Sequence, residues 1–222
     1  MNRIAHRLVL LALIVPTLLQ AADTNHNFAV WEPEVRAYEA QDRTSPPPAN
    51  AVLFVGSSGI RLWKTLAQDF PDTPAINRGV GGCEIVDCTY YADRIIFPYK
   101  PKKIVMRCGG NDLANGKSPE TVFADFKEFV RLVRQRLPRV EIVFISWNPT
   151  IARWNNAARE KKFNNLVKEW AHQIDGVRYV ETYDMVLGTD GQPRPELFVA
   201  DKLHFSAEGY RLLTERVRPA VQ

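Results

Sequence analysis

Hydrophobic residues follow two alternating patterns along most of the chain. Short continuous apolar runs, typical of strands covered on both faces, alternate with longer stretches in which apolar residues recur every three or four positions, typical of amphipathic helices. The runs predict strands at residues 51–55, 74–77, 103–108, 140–146 and 177–182. Strands that alternate with helices predict a parallel sheet with right-handed crossovers, an α/β fold of three layers.

One helix is predicted in "SPETVFADFKEFVRLVRQRL", with Ser118 as its N-terminal cap and Pro119 in its first turn. Its apolar stripe follows the 3.6-residue period of a helix and consists of Val122, Phe126, Val130, Val133 and Leu137. Further helices are predicted at residues 28–43, 156–174 and 206–218. Consecutive prolines in "TSPPPAN" end the first of these, because proline cannot continue a helix.

The first 22 residues have the layout of a secretory signal peptide. Arg3 and Arg7 precede the apolar run "LVLLALIVPTLL", which is shorter than a membrane span requires and is followed by "QAAD". We therefore expect removal of residues 1–22 by cleavage near Ala21 or Ala22 and a secreted or periplasmic protein, with a retained membrane anchor as the alternative. The mature chain then divides into an N-terminal helix with a proline-rich connector, at 23–50, and one folded domain, at 51–222.

Charge balance and cysteine content limit which partners, disulfides and metal sites the protein can have. Loss of the two leader arginines reduces the 29 basic residues to 27, against 25 acidic ones, and this balance argues against nucleic acid as a partner. The cysteines, Cys83, Cys88 and Cys108, are odd in number, so at least one lies outside an intramolecular disulfide. On a shared helix Cys83 and Cys88 would point about 140° apart, which argues against their pairing. The cysteine spacing predicts no metal site.

Glycine and polar residues follow three predicted strands and precede the last helix. "GSSG" follows the first strand, "NRGVGGCE" the second and "GGND" the third, while "DKLH" lies in the loop before the final helix. Because the carboxyl ends of parallel strands meet at one edge of a sheet, we expect these loops to converge. The glycines lack the G-x-G-x-x-G and P-loop spacings, which argues against a nucleotide site.

His204 is the histidine with a carboxylate in a suitable place. Asp201 lies three residues earlier, where it can accept the imidazole Nδ1–H and leave Nε2 facing a hydroxyl. His26 lies near the new N-terminus, and His172 lies within a predicted helix. Asp201 and His204 are therefore candidates for activating a serine of "GSSG".

Acyl transfer also requires donors for the negative charge that develops on the carbonyl oxygen. Gly82 offers a backbone N–H without an obstructing Cβ, Asn111 offers a side-chain amide, and the nucleophile offers its own N–H. Taken singly, Gly82 also fits a tight turn and Asn111 a helix cap.

Together, the stretches "FVGSSGIRLW", "INRGVGGCE", "GGND" and "DKLHFSAEGY" resemble the SGNH hydrolases, also called the GDSL-like lipase/esterase family, over residues 50–215, nearly the whole mature chain. The resemblance implies a flavodoxin-like three-layer α/β/α sandwich with a five-stranded parallel sheet. It implies a catalytic triad of Ser58, Asp201 and His204. The oxyanion hole would consist of Ser58, Gly82 and Asn111, and no metal or other cofactor would be needed.

One position departs from the family pattern. The family places aspartate immediately before the nucleophile, where this chain has Ser57. Ser57 is therefore a competing nucleophile, and Ser58 is favoured because it keeps the family register with Trp63. Cys83 also stands where an acidic or hydroxyl residue is common, but no base is evident for a thiol nucleophile there.

The sequence thus predicts a serine ester hydrolase that cleaves short-chain acyl or acetyl esters through an acyl-enzyme, with O-acetylated carbohydrate as one candidate substrate. Its partners would be small-molecule or carbohydrate esters, with neither nucleic acid nor stable membrane insertion once the leader is removed. Two alternatives stay open. One is acyl transfer to an acceptor other than water, and the other is a carbohydrate- or envelope-binding module on a hydrolase scaffold, which the missing aspartate and the aromatics Trp147 and Trp154 would fit.

Overall fold

The computed structural model describes residues 26–222. The predicted signal peptide with its cleavage site, and the alternative of a retained anchor, lie outside the described residues. In the part of the chain that the structure describes, no helix combines the length and apolar character needed to cross a membrane.

Parallel strands form a five-stranded sheet, which confirms the fold class predicted from the sequence. The strands are β1 (Val52–Gly56), β2 (Ala75–Gly79), β3 (Lys103–Arg107), β4 (Glu141–Ile145) and β5 (Val177–Val180). Their spatial order is β2-β1-β3-β4-β5. The chain therefore leaves β1 toward one side of the sheet and returns to its other side at β3, which creates a switch point at the carboxyl end of β1.

Helices cover both faces of this sheet. Within residues 26–222 they are α1 (Glu32–Thr44), α2 (Ser58–Arg61), α3 (Leu66–Asp69), α4 (Ile85–Tyr90), α5 (Ala92–Ile95), α6 (Gly110–Ala114), α7 (Pro119–Arg136), α8 (Ala157–Ala171) and α9 (Ala207–Val221). The predicted helix at 28–43 begins as a 3-10 turn, Phe28–Trp31, and continues as α1. The last helix extends past Pro219, beyond its predicted end, because Ala220 and Val221 are buried in the core.

The sheet separates two apolar cores. Leu53 and Val55 of β1 belong to the core that includes residues of α1, α4, α7 and α8, whereas Val52 and Phe54 belong to the core shared with α2, α3 and α9. Every residue of β1 is buried. Burial on both faces explains why the β1 sequence is a continuous apolar run.

Two glycines permit close backbone approach at the switch point. A Cβ at Gly56 would lie 2.0 Å from the carbonyl oxygen of Arg107, and a Cβ at Gly79 would lie 2.2 Å from the backbone nitrogen of Arg61. Gly56 also has φ +137°, which other residues rarely adopt. This packing places the first residue of α2, Ser58, at the carboxyl end of the sheet.

The segment that precedes β1 packs against the loop after β2. Tyr38 of α1 donates a hydrogen bond to the carbonyl oxygen of Gly79 (2.5 Å), and Glu34 accepts one from the N–H of Gly81 (2.6 Å). Helix α1 therefore supports this edge of the sheet. The domain boundary at residue 50 stays a prediction.

Candidate active site

Ser58 is the first residue of the short helix α2 and directly follows the end of β1. The preceding residue is anchored to the neighbouring strand, because the N–H of Ser57 donates to the carbonyl oxygen of Arg107 (3.2 Å). Tyr210 of α9 donates to the carbonyl oxygen of Gly59 (3.1 Å). Contacts on both sides thus hold Ser58 in a defined place, with its N–H among the free donors of a helix start.

The loop before α9 brings His204 to Ser58. The imidazole Nε2 lies 2.8 Å from Ser58 Oγ, and Nδ1 lies 2.6 Å from Asp201 Oδ2. The other oxygen of Asp201, Oδ1, accepts the backbone N–H groups of Leu203 (2.8 Å) and His204 (2.9 Å). The three predicted residues therefore form a continuous hydroxyl–imidazole–carboxylate chain, the geometry in which imidazole can remove a hydroxyl proton.

Asp201 stays ionised in this arrangement. Burial opposes its ionisation, but the hydrogen bonds from the His204 side chain and from the backbone N–H groups of His204 and Leu203 outweigh burial and lower the pKa of Asp201 to about 2. An ionised carboxylate can only accept hydrogen bonds. His204 Nδ1 is therefore the protonated nitrogen, and Nε2 faces Ser58 as an acceptor.

Asn111, at the start of α6, is mostly buried beside these groups. Its Nδ2 donates to the carbonyl oxygen of Cys83 (3.0 Å), and its Oδ1 accepts from Arg153 (2.9 Å). The bond to Cys83 ties Asn111 to the loop that contains Gly82. The amide nitrogen has two protons, so one remains for a ligand.

Gly82 has φ +82°, and a Cβ there would lie 2.9 Å from the ring of Trp31. Within residues 26–222 its N–H has no backbone or side-chain acceptor. Gly82 is not among the residues that line the cavity beside Ser58, whereas Asn111 and His204 are. The structure therefore brings Ser58, His204, Asp201 and Asn111 together directly, and Gly82 only through its neighbour Cys83.

A cavity of about 20 Å³ opens beside Ser58 and His204. Its walls combine aromatic rings with cationic and small polar groups. They consist of Ser58, Gly59, Arg107, Asn111, Trp147, Thr150, Arg153, Leu203, His204 and Phe205. The space is therefore small, and the predicted hydroxyl, imidazole and amide all border it.

The sequence profile of the GDSL-like Lipase/Acylhydrolase family matches residues 53–212. The chain belongs to this family. The matched region includes every predicted site residue from Ser58 to His204, so the resemblance noted in the sequence is confirmed, and the protein is a serine ester hydrolase. A comparison with curated proteins found no significant match.

Several solved structures share the fold of this GDSL-like acylhydrolase. A protein from Streptococcus pneumonia, provisionally named a platelet activating factor, is 20% identical with a TM-score of 0.77 and covers 86% of this chain and 92% of its own. A GDSL-like lipase from Bacteroides thetaiotaomicron is 18% identical with a TM-score of 0.71, covering 88% and 98%. A catalytic mutant of an acetylxylan esterase from Geobacillus stearothermophilus is 14% identical with a TM-score of 0.62, covering 78% and 94%. At these identities the likeness is one of fold.

Ser57, the residue that replaces the aspartate of the family pattern, is fully buried in this GDSL-like acylhydrolase. Its Oγ has no hydrogen-bond partner within residues 26–222. His204 contacts the hydroxyl of Ser58 instead. The geometry therefore distinguishes the two candidate nucleophiles, because only the hydroxyl of Ser58 contacts the imidazole.

Sequence reasoning missed the cationic Arg107 in the cavity wall and the buried carboxyl of Glu160, on which the Arg107 charge acts. Arg107 lies 4.3 Å from the ring centre of Trp147 and 5.2 Å from that of Phe205, and its guanidinium donates to Asn148. Glu160 of α8 is fully buried. Burial raises the pKa of Glu160 to about 8, and the positive charge of Arg107 only partly offsets this. The only sequence signal for Arg107 was its place at the end of a buried strand.

Glu160 makes the stability of this acylhydrolase depend on pH. The native carboxyl keeps its proton up to about pH 8, whereas the unfolded carboxyl loses it near 4.5. The native state therefore binds more protons between these values, and stability is lost as pH rises through this window. We expect the free energy of unfolding of Glu160→Gln, measured in urea, to fall less from pH 5 to pH 9 than that of the wild type, by roughly 2–5 kcal/mol. The exposed Glu215→Gln serves as control, and parallel wild-type and Glu160→Gln profiles would disprove the assignment.

The cysteines lie together in the core next to this site. Cys83 precedes α4 and so does not share a helix with Cys88. Its Sγ lies 3.8 Å from that of Cys88 and 4.0 Å from that of Cys108, and all three thiols are buried and free. The three sulfur atoms lie within 4.8 Å of one another, a grouping of possible metal ligands that the sequence spacing did not reveal.

Proposed function

We propose that this member of the family is a secreted or periplasmic serine hydrolase that cleaves short-chain acyl or acetyl esters through an acyl-enzyme on Ser58. The observation that carries the proposal is the unbroken contact from Ser58 Oγ to His204 Nε2 (2.8 Å) and from His204 Nδ1 to Asp201 (2.6 Å). The leader-like first 22 residues support export.

These positions support the following catalytic cycle. His204 Nε2 takes the hydroxyl proton as Ser58 Oγ attacks the ester carbonyl, and the ionised Asp201 stabilises the imidazolium that forms. The N–H groups of Ser58 and Gly82 and the free Nδ2 proton of Asn111 stabilise the oxyanion. His204 then gives the proton to the departing alcohol. A water molecule, activated by the same imidazole, attacks the acyl-enzyme and releases the acid and Ser58.

The size of the cavity supports a short acyl group. A volume of about 20 Å³ is close to the space that holds one water molecule, so it accommodates a methyl group more readily than a long chain. Acetylated carbohydrate is one candidate class, and the fold is shared with an acetylxylan esterase. Acyl transfer to another acceptor would use the same acyl-enzyme.

A fluorophosphonate probe tests the proposed nucleophile. The probe forms a covalent bond with an activated serine, so we expect one label, on the peptide that contains Ser58. The label should be lost in Ser58→Ala and kept in the matched variant Ser57→Ala, as read by mass spectrometry. Absence of any label on the folded wild-type protein would favour the binding-module alternative, and label retained in Ser58→Ala would disprove the assignment.

A further inference from the structure

We propose that Arg153 is a positioning residue that fixes the side-chain amide of Asn111 for oxyanion stabilisation, an inference that rests on the proposed function. Arg153 lies in the loop between β4 and α8 and borders the cavity together with Ser58, Asn111 and His204. Its Nη1 donates a hydrogen bond to Asn111 Oδ1 (2.9 Å).

The two partners of Asn111 allow only one orientation of its amide. A guanidinium group can only donate hydrogen bonds, and a backbone carbonyl can only accept them. Arg153 therefore requires Oδ1 on its side, and the carbonyl oxygen of Cys83 requires Nδ2 on the other (3.0 Å). A flipped amide would lose both bonds. Without Arg153, only the carbonyl oxygen of Cys83 favours this orientation, so the amide flips more easily. A flipped amide directs Oδ1 instead of Nδ2 toward the ligand and repels the oxyanion.

The positive charge of Arg153 acts directly on the side-chain amide of Asn111. In the described part of the chain its guanidinium donates to Asn111 Oδ1 and, at 3.5 Å, to the carbonyl oxygen of Gly110, and its charge also acts on the buried carboxyl of Glu160. A cation at Oδ1 polarises the amide and makes Nδ2–H a stronger donor. Arg153 thus acts on the oxyanion through Asn111.

The backbone around Arg153 is tied to the loop that carries the base. The N–H of Arg153 donates to Thr150 Oγ1 (3.2 Å), which closes a tight turn. The N–H of Ala152 donates to the carbonyl oxygen of Lys202 (3.0 Å), between Asp201 and His204. Arg153 and His204 are therefore held in fixed relation, as a group that positions a transition-state donor must be.

Steady-state hydrolysis of 4-nitrophenyl acetate tests this role. We expect Arg153→Met to lower kcat by about 10- to 100-fold while KM changes by less than about threefold, because the lost interaction matters mainly in the transition state. Guanidinium ion added to Arg153→Ala should restore part of kcat, which a purely structural defect would not allow. The exposed Arg131→Met, whose side chain pairs with Glu128, should keep wild-type kinetics.

A double-mutant cycle tests whether Arg153 acts through Asn111. Adding Arg153→Met to Asn111→Ala should cost less than about threefold in kcat. An unchanged kcat in Arg153→Met, a loss confined to KM, independent losses in the double mutant, or no loss in Asn111→Ala would each overturn the inference. Ser58→Ala keeps the two proposals apart: activity retained there disproves the proposed function, whereas an inactive Ser58→Ala beside a fully active Arg153→Met disproves only the role of Arg153.

Discussion

Replacing Ser58 or His204 with alanine is expected to lower kcat for a short-chain aryl acetate by about a million-fold, because each removes one end of the proton transfer that creates the nucleophile. The two residues act as a unit joined by one 2.8 Å contact. The double variant Ser58→Ala, His204→Ala should therefore be no slower than either single variant. Residual turnover above the uncatalysed rate would come from Asn111 and the backbone donors.

Ser57→Ala is the matched control for this prediction. It removes an adjacent hydroxyl that is fully buried and does not touch His204, so it should retain much of the wild-type kcat. Tm values and circular dichroism spectra of the variants establish that each is folded. Full activity in Ser58→Ala, or a loss in Ser57→Ala as large as that in Ser58→Ala, would contradict the assignment of the nucleophile.

Asp201→Asn is expected to lower kcat by about ten-thousand-fold, because it reverses the tautomer of His204. Oδ1 of Asp201 accepts two backbone N–H groups, so the carbonyl oxygen of asparagine should keep that place. The amide nitrogen then replaces Oδ2 opposite His204 Nδ1. Nδ1 must accept a hydrogen bond instead of donating one, which leaves the proton on Nε2 and removes the acceptor for Ser58.

The measurement is kcat at a pH where the wild-type rate no longer rises with pH. Asp190→Asn, in a turn where the carboxylate also accepts a backbone N–H, provides a control for the chemical change and should leave kcat unaffected. A loss below about tenfold in Asp201→Asn would show that the carboxylate does not set the tautomer of His204.

The sequence alone predicted that the candidate catalytic groups would meet at one edge, because a parallel sheet converts chain order into position. Each apolar run predicted a strand whose bounds lie within about two residues of the observed ones, and the carboxyl ends of such strands share one edge. That rule predicts that the loops containing "GSSG", "GGND" and "DKLH" meet at a common site. Asp201 and His204 are only three residues apart, so their contact forms within one turn.

Some contacts between distant segments could not be derived in this way. Arg153 reaches Asn111 across 42 residues, and Cys83 meets Cys108 across 25. The packing of loops, and not helix or strand geometry, brings the residues of each pair together. No periodic pattern or fixed spacing in the sequence therefore indicates either contact. The same holds for α1, whose Glu34 supports the loop of Gly81 across 47 residues.

The sequence by itself determined the strand pattern, the order of the loops at the active edge and the residue types that can perform ester hydrolysis. The tertiary structure decided which of the two adjacent serines faces His204, which cation orients Asn111, and that three thiols meet in the core. Local geometry and parallel pairing follow directly from the chain, whereas these choices depend on side-chain directions and loop packing, which are fixed only when the whole fold has closed.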